Sequence, residues 1–114
     1  MLQKIFEPHI SVESVIHALD DGTRRAIVQA LTKKPHSVTR LADSLGITTT
    51  AVGQHVEILE RSGLVSTKKT GRVRECRLNA SGLTVLEEWA REHRRMWEKR
   101  LNRLGKLLEE DEAE

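Results

Sequence analysis

The chain has 114 residues, of which 38% are hydrophobic and 32% are charged. This is enough sequence for one domain with a modest core and a large solvated surface. Cys76 is the single cysteine, so an intrachain disulfide framework is excluded. No apolar stretch approaches the roughly 18 residues that cross a bilayer, and residues 1–9 lack the hydrophobic region of a signal peptide. We therefore expect a cytoplasmic protein without a membrane partner.

The charges are unevenly distributed along the chain. The formal net charge is +2, but residues 109–114 include five acidic side chains, and the rest of the chain has a balance of +7. Basic residues gather between positions 68 and 77. A local basic patch governs attraction to phosphate more than the overall sum does. This distribution favours a nucleic-acid partner and sets residues 109–114 apart as an acidic tail.

Apolar residues recur at helical spacing in four successive short segments, and a polar residue suited to a helix N-cap precedes each one. The third segment ends at Gly46, a residue type that readily takes the left-handed conformation at helix C-termini. Only Ile47 separates Gly46 from the cap of the fourth segment. Two short helices joined by a tight glycine turn are typical of a helix-turn-helix. The four predicted N-caps are Ser11, Asp21, Ser37 and Thr48.

The stretch after the fourth helix changes character. Residues 64–69 and 73–78 predict two short strands around Thr70, Gly71 and Arg72, with Gly71 supplying the turn. A hairpin directly after a helix-turn-helix is the arrangement called a wing. The predicted fold class is therefore mostly α with a small β-hairpin, a winged helix-turn-helix.

One long helix is predicted from about residue 81 to about residue 108, where apolar residues step by three and four over more than three heptads. A domain of this size has little left to cover such a stripe, so the simplest partner is a second copy of the chain. We expect a single domain, residues 1–114, with a DNA-binding core at about 10–80, that dimerises through its terminal helices. The predicted interface residues are Val12, Ile16, Leu86, Trp89, Ala90, His93, Trp97, Leu101, Leu104 and Leu108.

The fourth helix is the candidate recognition helix, because outward threonine and glutamine side chains can hydrogen-bond to base edges or phosphates. The basic hairpin supplies candidate phosphate contacts, which would make binding salt-dependent. The alternative is that these are only solvated polar positions. The candidate DNA-binding residues are Ser37, Thr39, Arg40, Thr48, Thr49, Thr50, Gln54, His55, Lys68, Lys69, Arg72 and Arg74.

Three positions admit two interpretations each. His55 is either a partly buried histidine bonded within the domain, which we favour, or a phosphate contact. Gly53 either lets a DNA backbone approach closely or has no role. Glycine in a helix interior lowers helix stability by about 1 kcal/mol relative to alanine. Cys76 either packs in the second strand as a small hydrophobe, which we favour, or senses oxidants with a pKa lowered by Arg74 and Arg77.

The short motifs of catalysis and metal binding are missing from the sequence. There is no Gly-x-Ser-x-Gly, no P-loop, no dinucleotide fingerprint, and no close His-x-x-x-His or Cys-x-x-Cys pair. We therefore predict no enzyme activity, no cofactor and no metal site.

The second predicted helix and the helix-turn-helix that follows it contain recognisable motifs. Residues 18–25 spell ALDDGTRR, and residues 41–47 and 51–59 spell LADSLGI and AVGQHVEIL. The first motif resembles the opening of the ArsR/SmtB family, and the other two resemble that family's helix-turn-helix. Gly22 stands where that family commonly has proline, and Gly53 stands where serine is common.

The resemblance continues through residues 62–65 and 71–79, at the helix end and the wing, and covers roughly residues 10–83. Cys76 stands where the family often has tyrosine. The resemblance implies a homodimer whose terminal helices form the interface and whose fourth helices enter successive major grooves. Members of the family typically repress transcription by occupying operator DNA.

Many members of the family release DNA on binding metal, but residues 37–43 of this chain lack the Cys-x-Cys pattern of the third helix. Paired Asp and His ligands of the terminal-helix site are also not evident, which indicates a subgroup without an obvious metal site. We expect a sequence-specific transcriptional regulator on double-stranded DNA, located at the nucleoid, that represses from a pseudo-palindromic operator. The sequence leaves open whether a small-molecule effector controls DNA binding. The alternative is an interaction module that dimerises through its long helix and does not bind DNA.

Overall fold

The protein is described by a computed structural model over residues 10–113. Its secondary structure is mostly helical, with three short strands, and the predicted helices appear in the predicted order. The elements are α1 Val12–Leu19, α2 Gly22–Lys33, β1 His36–Ser37, α3 Val38–Leu45, α4 Thr49–Arg61, β2 Val65–Thr70, β3 Val73–Leu78 and α5 Ala80–Ala113.

The short helices begin where the sequence places their caps. Ser11, Asp21, Ser37 and Thr48 each accept a hydrogen bond from a backbone N–H of the first helical turn, at 2.7–3.1 Å. These bonds satisfy N–H groups that have no partner within the helix. All four predicted caps are therefore confirmed.

The turn between α3 and α4 depends on Gly46, whose φ of 67° and ψ of 33° are left-handed. A side chain is disfavoured in that conformation, so glycine ends α3 at little cost. The backbone N–H of Ile47 then donates to the Ala42 carbonyl at 3.2 Å. This tight connection sets α4 directly after α3, as a helix-turn-helix requires.

The sheet has three antiparallel strands in the order β1-β3-β2, so the predicted hairpin has an additional edge strand. In β1, His36 and Ser37 lie opposite Cys76 and Glu75 of β3. The hairpin itself is confirmed, and its strands close across Gly71 and Arg72. A strand of two residues is too short to show an alternating pattern, which is why the sequence did not predict β1.

The core forms where α1 to α4 pack together and against the sheet. Its members come from every one of these helices and from both wing strands. Buried apolar side chains are Val15, Ala18, Ile27, Leu31, Leu41, Ala42, Val52, Val56, Leu59, Leu64, Val65 and Cys76.

Two arginines at the start of α2 close the C-terminal end of α1. Buried Arg24 donates from Nε to the Ala18 carbonyl at 2.7 Å and from Nη2 to the His17 carbonyl at 3.1 Å. Arg25 donates to the Leu19 carbonyl at 2.7 Å. The last carbonyls of a helix have no partner within it, so the paired arginines satisfy them and fix α1 against α2.

Helix α5 is joined to the domain at its first turns and then projects from it. The Gly82 N–H donates to the Gly63 carbonyl at 2.8 Å, and a Cβ at Gly82 would lie 2.9 Å from backbone atoms of Gly63. Residues 87–104 are exposed throughout. The helix continues beyond the predicted end at 108 into the acidic segment. No helix within residues 10–113 is both long and apolar enough to cross a membrane.

Candidate nucleic-acid interface

The exposed face of α4 follows from the face that it buries. Val52, Val56 and Leu59 are fully buried, so the opposite side of the helix faces outward. Thr50 and Gln54 lie on that outward side and are exposed. Predicted contact residue Thr49 is also exposed, at the first position of the helix.

The polar side chains around the N-termini of α3 and α4 divide into two groups. The Ser37 and Thr48 oxygens accept the capping bonds of their helices, and their hydroxyl protons are still available to donate to a phosphate oxygen. Thr39 and Arg40 are exposed in the first turn of α3. Helix N-termini favour anions because their backbone N–H groups and dipole are positive there. Both N-termini are therefore suited to a phosphate backbone.

His55 is half-buried and faces the interior side of α4. Its Nδ1 lies 3.4 Å from Nη1 of Arg24, and the same Arg24 atom lies 3.7 Å from Asp21 Oδ2. This geometry supports the interpretation of a histidine bonded within the domain. A phosphate contact through its other ring nitrogen stays a prediction.

The wing is held to α4 by Glu60, which the sequence analysis did not single out. Glu60 Oε2 accepts from the backbone N–H and the hydroxyl of Thr67, at 3.1 and 2.6 Å. Its Oε1 lies 3.5 Å from Arg74 Nη2. Glu60 therefore anchors Thr67 in the middle of the hairpin and Arg74 one pair from its turn, whereas Arg72 lies in the exposed turn itself. No spacing rule could have identified Glu60, because its partners belong to other elements.

The wing concentrates positive charge on a small surface. Residues 65–78 include five basic side chains and one acidic one. Lys69 lies directly opposite Arg74, whereas Lys68 lies opposite Glu75. Like charges that face one another across a sheet repel. Glu60 compensates Arg74 at 3.5 Å, so Lys69, which is exposed, is the member of this pair left to meet a phosphate. The hairpin is therefore electrostatically suited to a polyanion.

The predicted dimer residues lie on two helices, and most of them are exposed. Ile16 on α1 is 46% exposed, and Trp97 on α5 is 63% exposed. Val12 and Leu86 are half-buried, and Leu86 packs against the core of its own protomer. The rings of Trp89 and His93 stack with centroids 4.1 Å apart. The other predicted interface residues are also exposed, namely Ala90, Leu101, Leu104 and Leu108. Three apolar residues of α5 that were not predicted for the interface are exposed as well, namely Leu83, Met96 and Leu107.

Cys76 is fully buried in β3. Burial raises the pKa of its thiol, and the nearby Arg74 charge does not offset that effect. A redox-sensing cysteine needs an accessible thiolate, so the interpretation as a small core hydrophobe is confirmed. Among residues 10–113, no three His, Cys, Asp or Glu side chains gather into a group that could hold a metal ion.

Comparison with known proteins agrees with this geometry. The helix-turn-helix domain family matches residues 19–67. The HTH-type transcriptional regulator Rv2034 of Mycobacterium tuberculosis is 35% identical over 94 residues, which are 82% of this chain and 85% of the relative.

Two solved structures share this fold over most of the chain. The crystal structure of ArsR family transcriptional regulator RHA00566 is 34% identical with a TM-score of 0.72, covering 76% of this chain and 90% of that one. The homodimeric winged helix-turn-helix DNA-binding domain Mb0332 of Mycobacterium bovis is 25% identical with a TM-score of 0.59, covering 77% and 80%. With this fold and these relatives, the chain belongs to the ArsR family of winged helix-turn-helix transcriptional regulators.

Proposed function

We propose that the protein is a repressor that binds a pseudo-palindromic operator as a homodimer. The observation that carries this proposal is the Glu60 contact with Thr67 and Arg74. By joining the end of α4 to the middle and tip-side part of the wing, it makes the polar face of α4 and the basic hairpin parts of one surface. A recognition helix that enters the major groove beside a basic hairpin on the phosphates fits such a surface.

Dimerisation is proposed from the exposed apolar stripe of α5. Trp97, Leu101, Leu104 and Leu108 are each more than half exposed in the single protomer. They lie three or four residues apart, so they form one continuous face of a helix. Contiguous apolar surface of this kind marks an interaction site, and Mb0332 is homodimeric. We propose that α1 and α5 of two copies cover each other.

A two-fold dimer determines the form of its DNA site. Each protomer presents one α4, so the operator would contain two related half-sites about 34–36 Å apart, or a multiple of that distance. Occupying such a site blocks transcription where it overlaps a promoter. In this proposal the protein acts in the cytoplasm at the nucleoid, and a small-molecule effector could release it.

The DNA-binding part is tested by fluorescence anisotropy of the full chain on duplex from its own upstream region and on scrambled duplex, at two salt concentrations. We expect tighter binding to the native duplex and a fall in both affinities as salt rises. Transcription from the same duplex should decrease when the protein is added. Absence of binding to any duplex at low salt would contradict the proposal and favour an interaction module.

The dimer is tested by sedimentation of a matched pair of variants. Leu101→Glu places a charge in the exposed stripe, whereas Asn102→Glu makes the same change of charge at the neighbouring exposed position outside it. We expect Leu101→Glu to be monomeric and Asn102→Glu to remain dimeric, because burying an unpaired carboxylate is costly. A dimer that persists in Leu101→Glu would contradict an interface built on this stripe.

A further inference from the structure

The N-terminal half of the recognition helix has no basic side chain. Residues 48–54 spell TTTAVGQ. Among the remaining residues of α4, His55 faces Arg24 at 3.4 Å. Arg61 lies at the C-terminal end, where its Nη2 donates to Glu57 Oε1 at 2.6 Å. Residues near the N-terminus of a recognition helix are the ones that contact base edges, so the base-contacting part of α4 is uncharged.

This composition restricts which bases α4 can recognise. In the major groove, guanine is bound through O6 and N7 by the paired donors of arginine or by lysine. Adenine presents an N6 donor and an N7 acceptor, which match the carbonyl oxygen and the amide N–H of glutamine. Thymine presents a C5-methyl group that packs against apolar groups such as the threonine methyl. Threonines and one glutamine therefore match A·T pairs, and nothing on this part of α4 matches guanine in the same way.

The positions of Thr50 and Gln54 fit neighbouring bases. The two residues are four apart, so they lie on the same face of α4 about 6 Å apart along its axis. That distance is close to two steps of 3.4 Å along a DNA strand. Within residues 10–113 neither side chain is engaged in a hydrogen bond with another residue, and both are exposed. Both side chains are therefore free to reach base edges.

We propose that α4 recognises A·T base pairs at the centre of each half-site. The Gln54 amide N–H donates to adenine N7 while its carbonyl oxygen accepts from adenine N6, and the Thr50 methyl packs against a thymine methyl one or two base pairs away. Guanine is not contacted by α4. This inference rests on the proposed function, since it names the base composition of the operator that the proposed repressor would bind.

The test begins with selection of duplexes from a random library by the full native chain. Single-base analogues are then placed in the selected site. Replacing one particular adenine by purine, which lacks the N6 amino group, should weaken binding of the native protein by roughly 5- to 100-fold. The same replacement should not weaken binding of Gln54→Ala, which has already lost this contact. Replacing one particular thymine by uracil, which lacks the C5-methyl group, should weaken binding of the native protein. The same replacement should not weaken binding of Thr50→Ser, which has already lost the threonine methyl. The control is Gln29→Ala, an exposed glutamine on α2, which should respond to both analogues as the native chain does.

A gain-of-recognition variant completes the test. Gln54→Arg should shift the selected base at the adenine position towards guanine, because arginine supplies the paired donors that guanine requires.

Two results would overturn this inference and leave the proposed function standing. In the first, the native chain enriches one duplex but the bases that it requires are guanines. In the second, Thr50→Ser and Gln54→Ala respond to the analogues as the native chain does. If no duplex is enriched over the random library, the proposed function fails and the inference fails with it.

Discussion

Replacing Gly53 with alanine separates what this glycine does for the fold from what it does for DNA binding. Glycine in a helix interior costs about 1 kcal/mol relative to alanine. A Cβ at Gly53 would meet nothing within 4 Å, so alanine introduces no clash within the protein. We expect Gly53→Ala to raise the free energy of unfolding by about 1 kcal/mol, which corresponds to a rise in Tm of about 4–8 °C for a domain near this size.

The matched control is Gly105→Ala on α5. A Cβ there also meets nothing within 4 Å, so the gain in helix propensity should be similar. The DNA affinities should differ between the variants, because Gly53 lies beside Gln54 on the side of α4 that leads to Glu60 and the wing. A methyl group there would crowd a DNA strand that packs closely, and we expect operator affinity to fall about 5-fold or more. Gly105 borders the apolar stripe of α5, so Gly105→Ala is compared at a concentration where sedimentation shows a dimer, and there it should retain native affinity.

Thermal unfolding followed by circular dichroism, and anisotropy on the selected operator, measure the two effects on the same preparations. A loss of stability in Gly53→Ala would contradict the helix geometry at this position. Equal, native-like DNA affinities for both variants would mean that Gly53 is not a site of close approach.

Three further predictions concern the wing, the cysteine and a cap. Arg72→Ala should weaken binding to every duplex and make the negative slope of log K against log salt shallower by about 0.9. The control Arg91→Ala on α5 should leave both quantities unchanged. An unchanged slope in Arg72→Ala would mean that the wing tip does not contact phosphate. Peroxide should leave DNA affinity unaltered because burial raises the pKa of Cys76, and a loss of affinity that Cys76→Ser prevents would refute this. The Arg24 backbone N–H, together with the Thr23 N–H and the Arg24 charge, lowers the pKa of Asp21 below its ordinary value of 3.8 despite desolvation. The resulting stability is present above that value and is lost as pH falls through the lowered pKa. The difference in Tm between the native chain and Asp21→Asn should therefore shrink in acid, and a constant difference would argue against it.

The helices could be predicted because their signals are local. Ser37 and Thr48 bond to N–H groups three residues ahead, and Gly46 follows directly on the helix that it ends. Each pattern lies within a few residues of sequence, and the physics of capping acts over the same distance. The same reasoning explains the wing hairpin, whose turn joins two adjacent strands.

Contacts between separate elements could not be predicted in this way. Arg24 meets His55 across 31 positions of sequence, and Glu60 meets Thr67 and Arg74 on two different strands. The sequence indicated that His55 lies beside an inward stripe, but the identity of its partner depends on how α2 packs on α4. The apolar stripe of α5 was predicted as one line of residues, but the exposed apolar surface of this helix is wider, because Met96 and Leu107 beside that line are exposed as well.

The central claim is that two copies of this chain present their recognition helices to one operator at a spacing set by the dimer. The most direct test changes the distance between the half-sites of the selected duplex and measures the affinity of the full chain by anisotropy. Inserting about five base pairs turns one half-site to the opposite side of the DNA, since a helical turn is about 10–10.5 base pairs. This insertion should lower the affinity to that of a single half-site. Equal affinity for the native and extended spacings would contradict a rigid dimer that binds both half-sites at once.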